Sequence, residues 1–449
     1  MDIENGTMTG GNSPRGRAFR VARASILTGL KALSTLCLPA TQAFGVIYPV
    51  GAGSSHSLYI QNPVANPAPH ATFGENPVSG MGQQTYHQLG DFAFTNWDIP
   101  HIVGCKEGHQ VGNVLIPASL HTAMAVAGGR NHSVALRSDD SVVTWGDSTY
   151  GQLGYNNYLS RKCATQSSLG IALPTRGLVP FNMPVLAIAA GDYHTYAIAG
   201  TALPYSTIRS WGRSNAGQVG NGKAMGTNYP APDCVRTNVY PIGVCLTAVR
   251  SVAAGAAHGV AATLDGKVHS WGSDSDGQRG EPGVSGDRSW AQEVPGIDNV
   301  ISVAARGYIS LALKQDGTVW CWGRFQSEHD SNQWISCGAT PTQVPGLTGV
   351  TQIAAGRNHA LAITNDGKVW GWGYNTYGGV GNPAVSYTIV PALVALPVPS
   401  FAVAIAAGDY HSIVRTADNK TYSWGRNQSG QLGIGGYANQ FSPMLVPTQ

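Results

Sequence analysis

The sequence predicts an all-β fold: a single seven-bladed β-propeller of four-stranded antiparallel blades, preceded by an N-terminal leader or arm. Three observations predict it, namely an internal repeat, hairpin turn signals, and small and aromatic residues placed where blades need them. The repeat accounts for nearly all of the 449 residues. We therefore assign residues 44–449 to one propeller domain and residues 1–43 to a separate basic and apolar segment.

The repeat has two anchors, a Gly-x-x-His element and a Trp-Gly pair. Its clearest copy begins at Ile353 and ends at Trp372-Gly373. Seven copies are recognisable, although the first has Met81 in the Trp position and the fifth has Ile309 in the His position. The histidines are His56, His132, His194, His258, His359 and His411. The tryptophans are Trp145, Trp211, Trp271, Trp322, Trp372 and Trp424.

Each copy contains four short strands in order. A small apolar stretch such as residues 353–355 comes first, and a second strand starts at the histidine. An Asp-Gly turn, as at Asp366, leads into a third strand that ends at the tryptophan. A fourth, Pro-containing strand then precedes the next copy, which suits an edge strand. Small residues fit where blades converge on an axis, and tryptophan fills the wider space between blades.

The combination of Gly-x-x-His, Asp-Gly, Trp-Gly and a Gly-Gln-Leu-Gly tail, as at residues 151–154 and 430–433, resembles the regulator of chromosome condensation repeat. The resemblance covers roughly residues 44–449. It implies a seven-bladed propeller with an interaction surface. The best-known member of that family is a guanine-nucleotide exchange factor that also docks on chromatin. The loop residues on which exchange depends cannot be matched to positions in this chain.

The repeated histidines and tryptophans are interpreted as structural. A catalytic residue is normally unique, whereas these recur in the same phase of every copy. We expect each histidine to hydrogen-bond the backbone of its own blade and each tryptophan to pack between blades. No nucleophile elbow, metal-binding helix or phosphate-binding loop is recognisable, so we expect no catalytic, cofactor-binding or metal site.

Departures from the repeat are the better indication of a binding site, because function is usually placed on loops of a rigid scaffold. The fifth copy loses its Gly, its His and its tail together, and Arg306 stands where the Gly should be. Charged and aromatic residues replace the tail, which suits a protein-binding loop; the alternative is sequence drift in one blade. The expected partner-binding residues are Arg324, Phe325, Glu328, His329, Asp330 and Trp334.

Charge argues against nucleic acid as a partner of the propeller. Residues 1–43 carry five of the 27 basic and two of the 24 acidic side chains, which leaves 22 of each on residues 44–449. A neutral ring without a basic stripe is poor at neutralising phosphates. No apolar run after residue 43 reaches the length of a membrane span.

The N-terminal segment and the cysteines both favour export. Basic residues from Arg15 to Arg23 precede an apolar run over residues 26–38, which resembles a signal peptide. An organelle presequence or a retained arm remain alternatives. Six cysteines lie in the propeller, mostly in insertions, and three bridges are expected among them, the alternative being reduced thiols. They are Cys105, Cys163, Cys234, Cys245, Cys321 and Cys337.

These observations favour a non-enzymatic protein-interaction scaffold, either exported or surface-associated, or built into a larger particle such as a virion. The alternatives are an intracellular exchange factor or chromatin-associated regulator acting with a small GTPase, and a carbohydrate-binding or hydrolytic propeller. In each case, loops on the propeller rims are expected to contact the partner.

Overall fold

A computed structural model describes residues 50–60, 78–83, 85, 88–89, 97–102, 110–111, 114–115, 123–138, 140–166, 183–239, 242–283, 286–326, 335–397 and 400–447. These residues form seven four-stranded antiparallel sheets and one two-stranded hairpin. The sheets are the blades of a propeller, so the predicted fold class and blade number are confirmed.

Within each blade, strands that follow one another in the chain are neighbours in the sheet. Blade one contains β1 (Val50–Ala52), β2 (His56–Ile60), β3 (Val78–Gly82) and β4 (Trp97–Ile102). The hairpin of β5 (Gln110–Val111) and β6 (Val114–Leu115) follows. Blade two contains β7 (Ala123–Gly128), β8 (His132–Arg137), β9 (Val142–Gly146) and β10 (Arg161–Gln166). Blade three contains β11 (Val185–Ala190), β12 (His194–Ala199), β13 (Thr207–Gly212) and β14 (Tyr229–Cys234), with a short 3₁₀ helix at Leu203–Tyr205.

The remaining four blades repeat this order. Blade four contains β15 (Val249–Ala254), β16 (His258–Thr263), β17 (Val268–Gly272) and β18 (Arg288–Glu293). Blade five contains β19 (Val300–Arg306), β20 (Tyr308–Lys314), β21 (Val319–Phe325) and β22 (Ile335–Gln343). Blade six contains β23 (Val350–Ala355), β24 (His359–Thr364), β25 (Val369–Tyr374) and β26 (Tyr387–Val394). Blade seven contains β27 (Ala402–Ala407), β28 (His411–Thr416), β29 (Thr421–Gly425) and β30 (Gln440–Leu445).

The Gly-x-x-His element is the turn between the first and second strands of a blade. In blade one, the Gly53 amide donates to the His56 carbonyl over 2.8 Å. A Cβ on Gly53 would lie 2.1 Å from Cε1 of the His56 ring, so only glycine leaves room for the imidazole. The glycine after the tryptophan is constrained differently. Gly146 has a φ of 101°, and a Cβ there would lie 2.5 Å from the Asn131 carbonyl oxygen.

The hydrophobic core is divided into seven clusters, each lying between two neighbouring blades. Trp145 of blade two, for example, packs with Leu58 and Val78 of blade one. Six of the clusters hold the tryptophan of the later blade, and the seventh, between blades seven and one, holds Met81 instead. Since large aromatics contribute most of the buried area in such clusters, the tryptophans hold adjacent blades together.

Candidate functional site

Where the structure describes them, the Gly-x-x-His turns and the loops after Trp-Gly lie at the same end of the propeller, because the four strands of each blade alternate in direction. We call this end the Gly-x-x-His face. Hydrogen bonds connect the two kinds of loop within a blade, as where the Arg213 amide donates to the Tyr193 carbonyl over 2.9 Å. The Asp-Gly hairpin turns lie at the opposite face.

Contacts between blades explain why a histidine recurs at the same position of the repeat. In five cases the imidazole Nε2 lies 2.8–3.0 Å from a Ser or Thr hydroxyl of the next blade. The expectation that each imidazole bonds the backbone of its own blade is therefore wrong for these Nε2 atoms, because the backbone amide of the glycine already closes that turn. The pairs are His56–Ser133, His132–Thr195, His258–Ser310, His359–Ser412 and His411–Ser57.

Each of these hydroxyls donates onward to a backbone carbonyl in the tail of the preceding blade. The Thr195 hydroxyl and the Trp211 indole Nε1 both donate to the Gln152 carbonyl over 2.9 Å. The Gln residue of the Gly-Gln-Leu-Gly tail thus contributes its backbone oxygen to the next blade. The same pair of donors reaches Gln88, Gln278 and Gly379.

Two interfaces between blades lack part of this hydrogen-bond relay, and at each of them more than one position of the repeat differs. Between blades five and six, Ile309 replaces the histidine, Ala360 replaces the hydroxyl, and the Trp372 Nε1 atom has no hydrogen-bond partner in the described part of the chain. Between blades three and four, Gly259 replaces the hydroxyl residue. There the Tyr196 hydroxyl bonds the preceding carbonyl in its place.

Burial keeps the repeated histidines uncharged. Desolvation lowers the pKa of His56, His194, His258 and His359 from 6.5 to about 3, and those of His132 and His411 to about 4. Over the residues that the structure covers, no three His, Cys, Asp or Glu side chains are grouped as metal ligands. The histidines are therefore neutral in the folded protein, and five of them link neighbouring blades through hydrogen bonds.

The axis of the propeller is closed at the Gly-x-x-His face by two arginines. Arg306 of blade five donates from Nε to Asp409 of blade seven over 2.9 Å. Its Nη1 atom donates to the backbone carbonyls of Ala52 in blade one and Gly128 in blade two, and its Nη2 atom donates to the Ser54 hydroxyl. Arg357 of blade six donates to Asp409 over 2.8 Å and to both carboxylate oxygens of Asp192 in blade three. The two guanidinium groups thus bridge blades on opposite sides of the ring.

This network is buried, and the positive charges of its two arginines balance the negative charges of Asp192 and Asp409. Burial alone would raise the pKa of Asp409, but Arg357 and Arg306 hold it well below its ordinary value. Burial alone would lower the pKa of Arg357, but Asp409 and Asp192 raise it well above its ordinary value. The side chains of Asp192 and Asp409 are only 7% and 8% exposed, so their negative charge is withdrawn from the surface.

Arginines and tyrosines surround the network. The Arg213 guanidinium lies 4.8 Å from the ring centre of Tyr150 and 5.5 Å from that of Tyr193. Arg426 lies 5.1 Å from the Tyr377 ring and 5.5 Å from the Tyr410 ring. Such cation–π stacks hold long side chains in one orientation.

Arg130 adds a third guanidinium to this surface. It lies 5.8 Å from the Tyr193 ring and 3.7 Å from Asp192, and 47% of its side chain is exposed. The Gly-x-x-His face therefore presents ordered arginines and tyrosines while its carboxylates at 192 and 409 are buried.

The binding loop predicted in blade five is placed only in part. Arg324 belongs to β21 and pairs with Asp276 of blade four. Phe325 also belongs to β21 and is fully buried, so its assignment to an exposed binding surface is wrong. The strand extends further than expected because Phe325 pairs with Ile335 and fills the core between blades five and six. Glu328, His329, Asp330 and Trp334 lie outside the described residues.

The described part of the chain contains two disulfides. Cys234 is bonded to Cys245 within one insertion, and Cys321 is bonded to Cys337 across β21 and β22. Of the other expected pair, Cys105 lies outside the described residues, and Cys163 lies in β10.

The sequence interpretation missed the axial network. Arg306 was interpreted only as the loss of a glycine, whereas it is the residue that closes the axis. A signal was present: the position after the glycine holds Arg130, Asp192, Arg357 and Asp409 in four copies, a mixture of opposite charges at one place in the repeat.

The short 3₁₀ helix at Leu203–Tyr205, the helix found among the described residues, is far too short to cross a bilayer.

Family comparison matches the regulator of chromosome condensation (RCC1) repeat in two forms. One matches residues 125–152, 249–278, 300–327, 350–378 and 402–431, and the other matches residues 139–198, 366–415 and 418–449.

Known proteins share this repeat. The chain is 28% identical to the ultraviolet-B receptor UVR8 of Arabidopsis thaliana over 335 residues, covering 74% of this chain and 71% of the receptor. It is 30% identical to the guanine nucleotide exchange factor SRM1 of Saccharomyces cerevisiae over 160 residues, covering 35% of this chain and 31% of that protein. The crystal structure of Prp20p from Saccharomyces cerevisiae, described with its binding to Gsp1p and histones, superposes with a TM-score of 0.64 at 18% identity, covering 84% of this chain and 87% of Prp20p. This last likeness concerns the fold alone.

Proposed function

The chain belongs to the regulator of chromosome condensation (RCC1) repeat family, and on that premise we propose that it is a non-catalytic propeller that binds another protein through its Gly-x-x-His face. The observation that carries the proposal is the separation of charge at this face. Asp192 and Asp409 are buried on the axis, whereas Arg130 is half exposed beside the stacked tyrosines.

This chemistry favours a protein partner with an acidic surface. Arginine and tyrosine are the residues most enriched among those that dominate binding energy at interfaces. Stacking of Arg213 on Tyr150 and Tyr193 orders these side chains before a partner arrives, which reduces the entropy lost on binding. Complementary charge would also accelerate association at low salt.

The experiment compares protein capture by four forms of the full chain. Arg213→Ala combined with Arg426→Ala removes one stacked guanidinium from each tyrosine pair, while Arg130 stays beside Tyr193. The matched control, Lys368→Ala combined with Lys420→Ala, removes two exposed cations that follow the Asp366-Gly367 and Asp418-Asn419 hairpin turns at the opposite face. Unfolding midpoints measured beside capture show that each variant is folded.

We expect a partner that is retained by the wild type and the lysine variant, lost by the arginine variant, and released by raised salt. Tyr150→Ala should lose the same partner without changing the net charge. Equal retention by all four proteins would reject the Gly-x-x-His face as the binding surface.

The alternative is guanine-nucleotide exchange on a small GTPase, favoured by the identity shared with SRM1. It is tested by the release rate of a fluorescent GDP analogue from a purified small GTPase, with and without this protein. Acceleration that the double arginine variant abolishes would favour exchange over simple binding. An unchanged release rate would leave the scaffold as the function.

We further propose that the protein works in an oxidising compartment. Disulfides such as Cys234–Cys245 and Cys321–Cys337 persist in secreted and extracellular proteins and are rare in the cytosol. Mass spectrometry of the native protein after alkylation without reductant tests this: four protected cysteines support export, and alkylation at all four contradicts it.

A further inference from the structure

The propeller axis contains a channel that the binding face does not use. It has a volume of about 240 Å³ and is lined by the innermost strands of all seven blades. This is smaller than the roughly 300–1,000 Å³ of pockets that hold drug-sized ligands. A ligand of this channel must therefore be small and narrow.

Most of the side chains that line the channel are aliphatic, and its polar surface comes from the strand backbones and from a few Ser, Gln and Arg residues. Every blade places a β-branched aliphatic residue three positions before its Gly-x-x-His glycine or the equivalent Arg306, and each of these residues lines the channel. Alanines line most of the wall on the Gly-x-x-His side of this ring. The ring consists of Val50, Val126, Ile188, Val252, Val303, Ile353 and Ile405.

The two ends of the channel carry arginines in different electrostatic states. At the Gly-x-x-His face, Arg306 is neutralised by Asp409 and closes the channel. Near the opposite end, Arg250 at the start of β15 is half-buried in the channel wall. Burial lowers the pKa of Arg250, and no Asp or Glu is found among the described residues that line the channel. Among the described residues, Arg250 is thus a cation without a carboxylate partner, at the mouth of a channel lined mainly by aliphatic side chains.

We propose that the axial channel binds an aliphatic monocarboxylate, with the carboxylate paired to Arg250 and the hydrocarbon chain lying along the β-branched ring. Arg250 in β15 precedes Gly255, which directly follows that strand at the level of Arg306, by five residues of extended chain, so the channel is about 16 Å deep at a rise of about 3.3 Å per residue. The planar guanidinium matches a carboxylate with two parallel hydrogen bonds. The Arg306 end, already neutralised, would accept only the apolar end of the chain.

The test is isothermal titration calorimetry of the full chain with butanoate, hexanoate, octanoate and octan-1-ol. Each methylene buried in the tube should raise the affinity about fourfold, since it contributes about 0.8 kcal/mol. Octanoate should bind at least about tenfold more tightly than octan-1-ol, as expected for a hydrogen-bonded ion pair of about 1.5 kcal/mol or more.

Variants separate the channel from general surface binding. Arg250→Gln should weaken octanoate binding about tenfold or more and leave octan-1-ol binding unchanged, while Arg250→Lys should fall between Arg250→Gln and wild type. Lys368→Gln removes one exposed positive charge at the same end of the propeller, outside the channel, and should change neither ligand. Affinity that is independent of chain length, or octanoate binding that survives Arg250→Gln, would overturn the proposal.

Discussion

The imidazole Nε2 of His411 in blade seven lies 2.9 Å from the hydroxyl of Ser57 in blade one, although 354 residues separate them in the chain. The Ser57 hydroxyl also donates to the Gln431 carbonyl of blade seven over 2.9 Å. The first and last blades are thus joined by the same relay that joins most consecutive blades. Among the described strands, each blade is built from one continuous part of the chain, so contacts between separate blades close the ring, and they include the Gly435 amide donating to the Asp98 carbonyl of blade one over 2.8 Å.

The indole hydrogen bond of the relay can be measured by comparing two tryptophans. Trp424 Nε1 donates to the Gly379 carbonyl over 2.9 Å, whereas Trp372 Nε1 has no partner among the described residues. Trp424→Phe should therefore lower the free energy of unfolding by about 1 kcal/mol more than Trp372→Phe does. Trp372→Ala and Trp424→Ala should each lower it by about 3–5 kcal/mol, because both indoles fill inter-blade cores.

Urea denaturation of the four variants gives these differences. If the two Trp→Phe variants are equally stable, the hydrogen bond from the Trp424 indole to the Gly379 carbonyl contributes nothing to the free energy of unfolding. An alanine variant with an unchanged midpoint would contradict the packing role.

Acid should destabilise the protein through its buried histidines. An unfolded histidine has a pKa of about 6.5, whereas burial lowers the pKa of His359 to about 3 in the folded protein. Between those values the unfolded chain binds a proton that the folded chain does not. Each such histidine therefore removes about 1.4 kcal/mol of stability for each pH unit below about 6.5, until the pH reaches its folded pKa.

The chain supplies its own control for this effect. The variant His359→Ile combined with Ser412→Ala reproduces the pair Ile309 and Ala360 found between blades five and six. The free energy of unfolding of this double variant, measured by urea denaturation from pH 7 to pH 4.5, should fall less steeply with decreasing pH than that of wild type. The difference between the two slopes should correspond to the uptake of one proton on unfolding. Parallel pH profiles would show that His359 is not neutral in the folded protein.

Much of the propeller was predictable because its determinants are repeated. The glycines of the Gly-x-x-His and Trp-Gly elements recur since each copy has the same steric need, as at Gly53 and Gly146. A feature repeated in phase can be read from one sequence, and its geometry then follows for all copies.

The Gly-x-x-His face was harder to predict because its side chains contact one another across different blades. Arg306 and Asp409 lie 103 residues apart, and only the closing of the ring brings them together. Phe325 shows the opposite error, since an aromatic residue beside charges was interpreted as exposed when it completes a core. Exposure of single residues outside the repeat pattern is decided by such distant contacts.

The ion pair of Arg306 and Asp409 is expected to couple blades five and seven. Arg306→Met removes one of two guanidinium partners of Asp409, and Asp409→Asn removes the carboxylate shared by both arginines. A double-mutant cycle in urea should give a coupling energy of about 1–3 kcal/mol. Because the folded pKa of Asp409 is held low, its contribution is present above the unfolded pKa of about 3.9 and is lost as pH falls below it.

Arg426→Met serves as the control for this cycle, because Arg426 lies over tyrosines and not in the axial network. It should lower stability by less than about 1 kcal/mol. If the effects of Arg306→Met and Asp409→Asn on the free energy of unfolding simply add in the double variant, the two side chains have no coupling energy and their ion pair does not stabilise the fold.

The interface between blades three and four tests whether Tyr196 replaces the missing hydroxyl. A Cβ at Gly259 would lie 2.5 Å from the Tyr196 hydroxyl and 2.4 Å from the Trp271 ring, so Gly259→Ser should overpack the site and cost about 1–3 kcal/mol. Tyr196→Leu alone should also destabilise, since it removes a donor to the Gln218 carbonyl and opens a cavity. Copies one, five and six carry leucine at this position, at Leu58, Leu311 and Leu361.

The double variant Tyr196→Leu with Gly259→Ser should recover stability relative to both single variants. Leucine removes the overlap with the Tyr196 hydroxyl and gives the Trp271 ring, which packs on Tyr196, space to move away from the serine. The serine hydroxyl can then bond both the Gln218 carbonyl and the Nε2 atom of His194, which has no partner among the described residues. Urea midpoints of the three variants give the coupling, expected to be about 1–3 kcal/mol in favour of the pair. A double variant less stable than Gly259→Ser alone would show that Tyr196 has a role the common relay cannot replace.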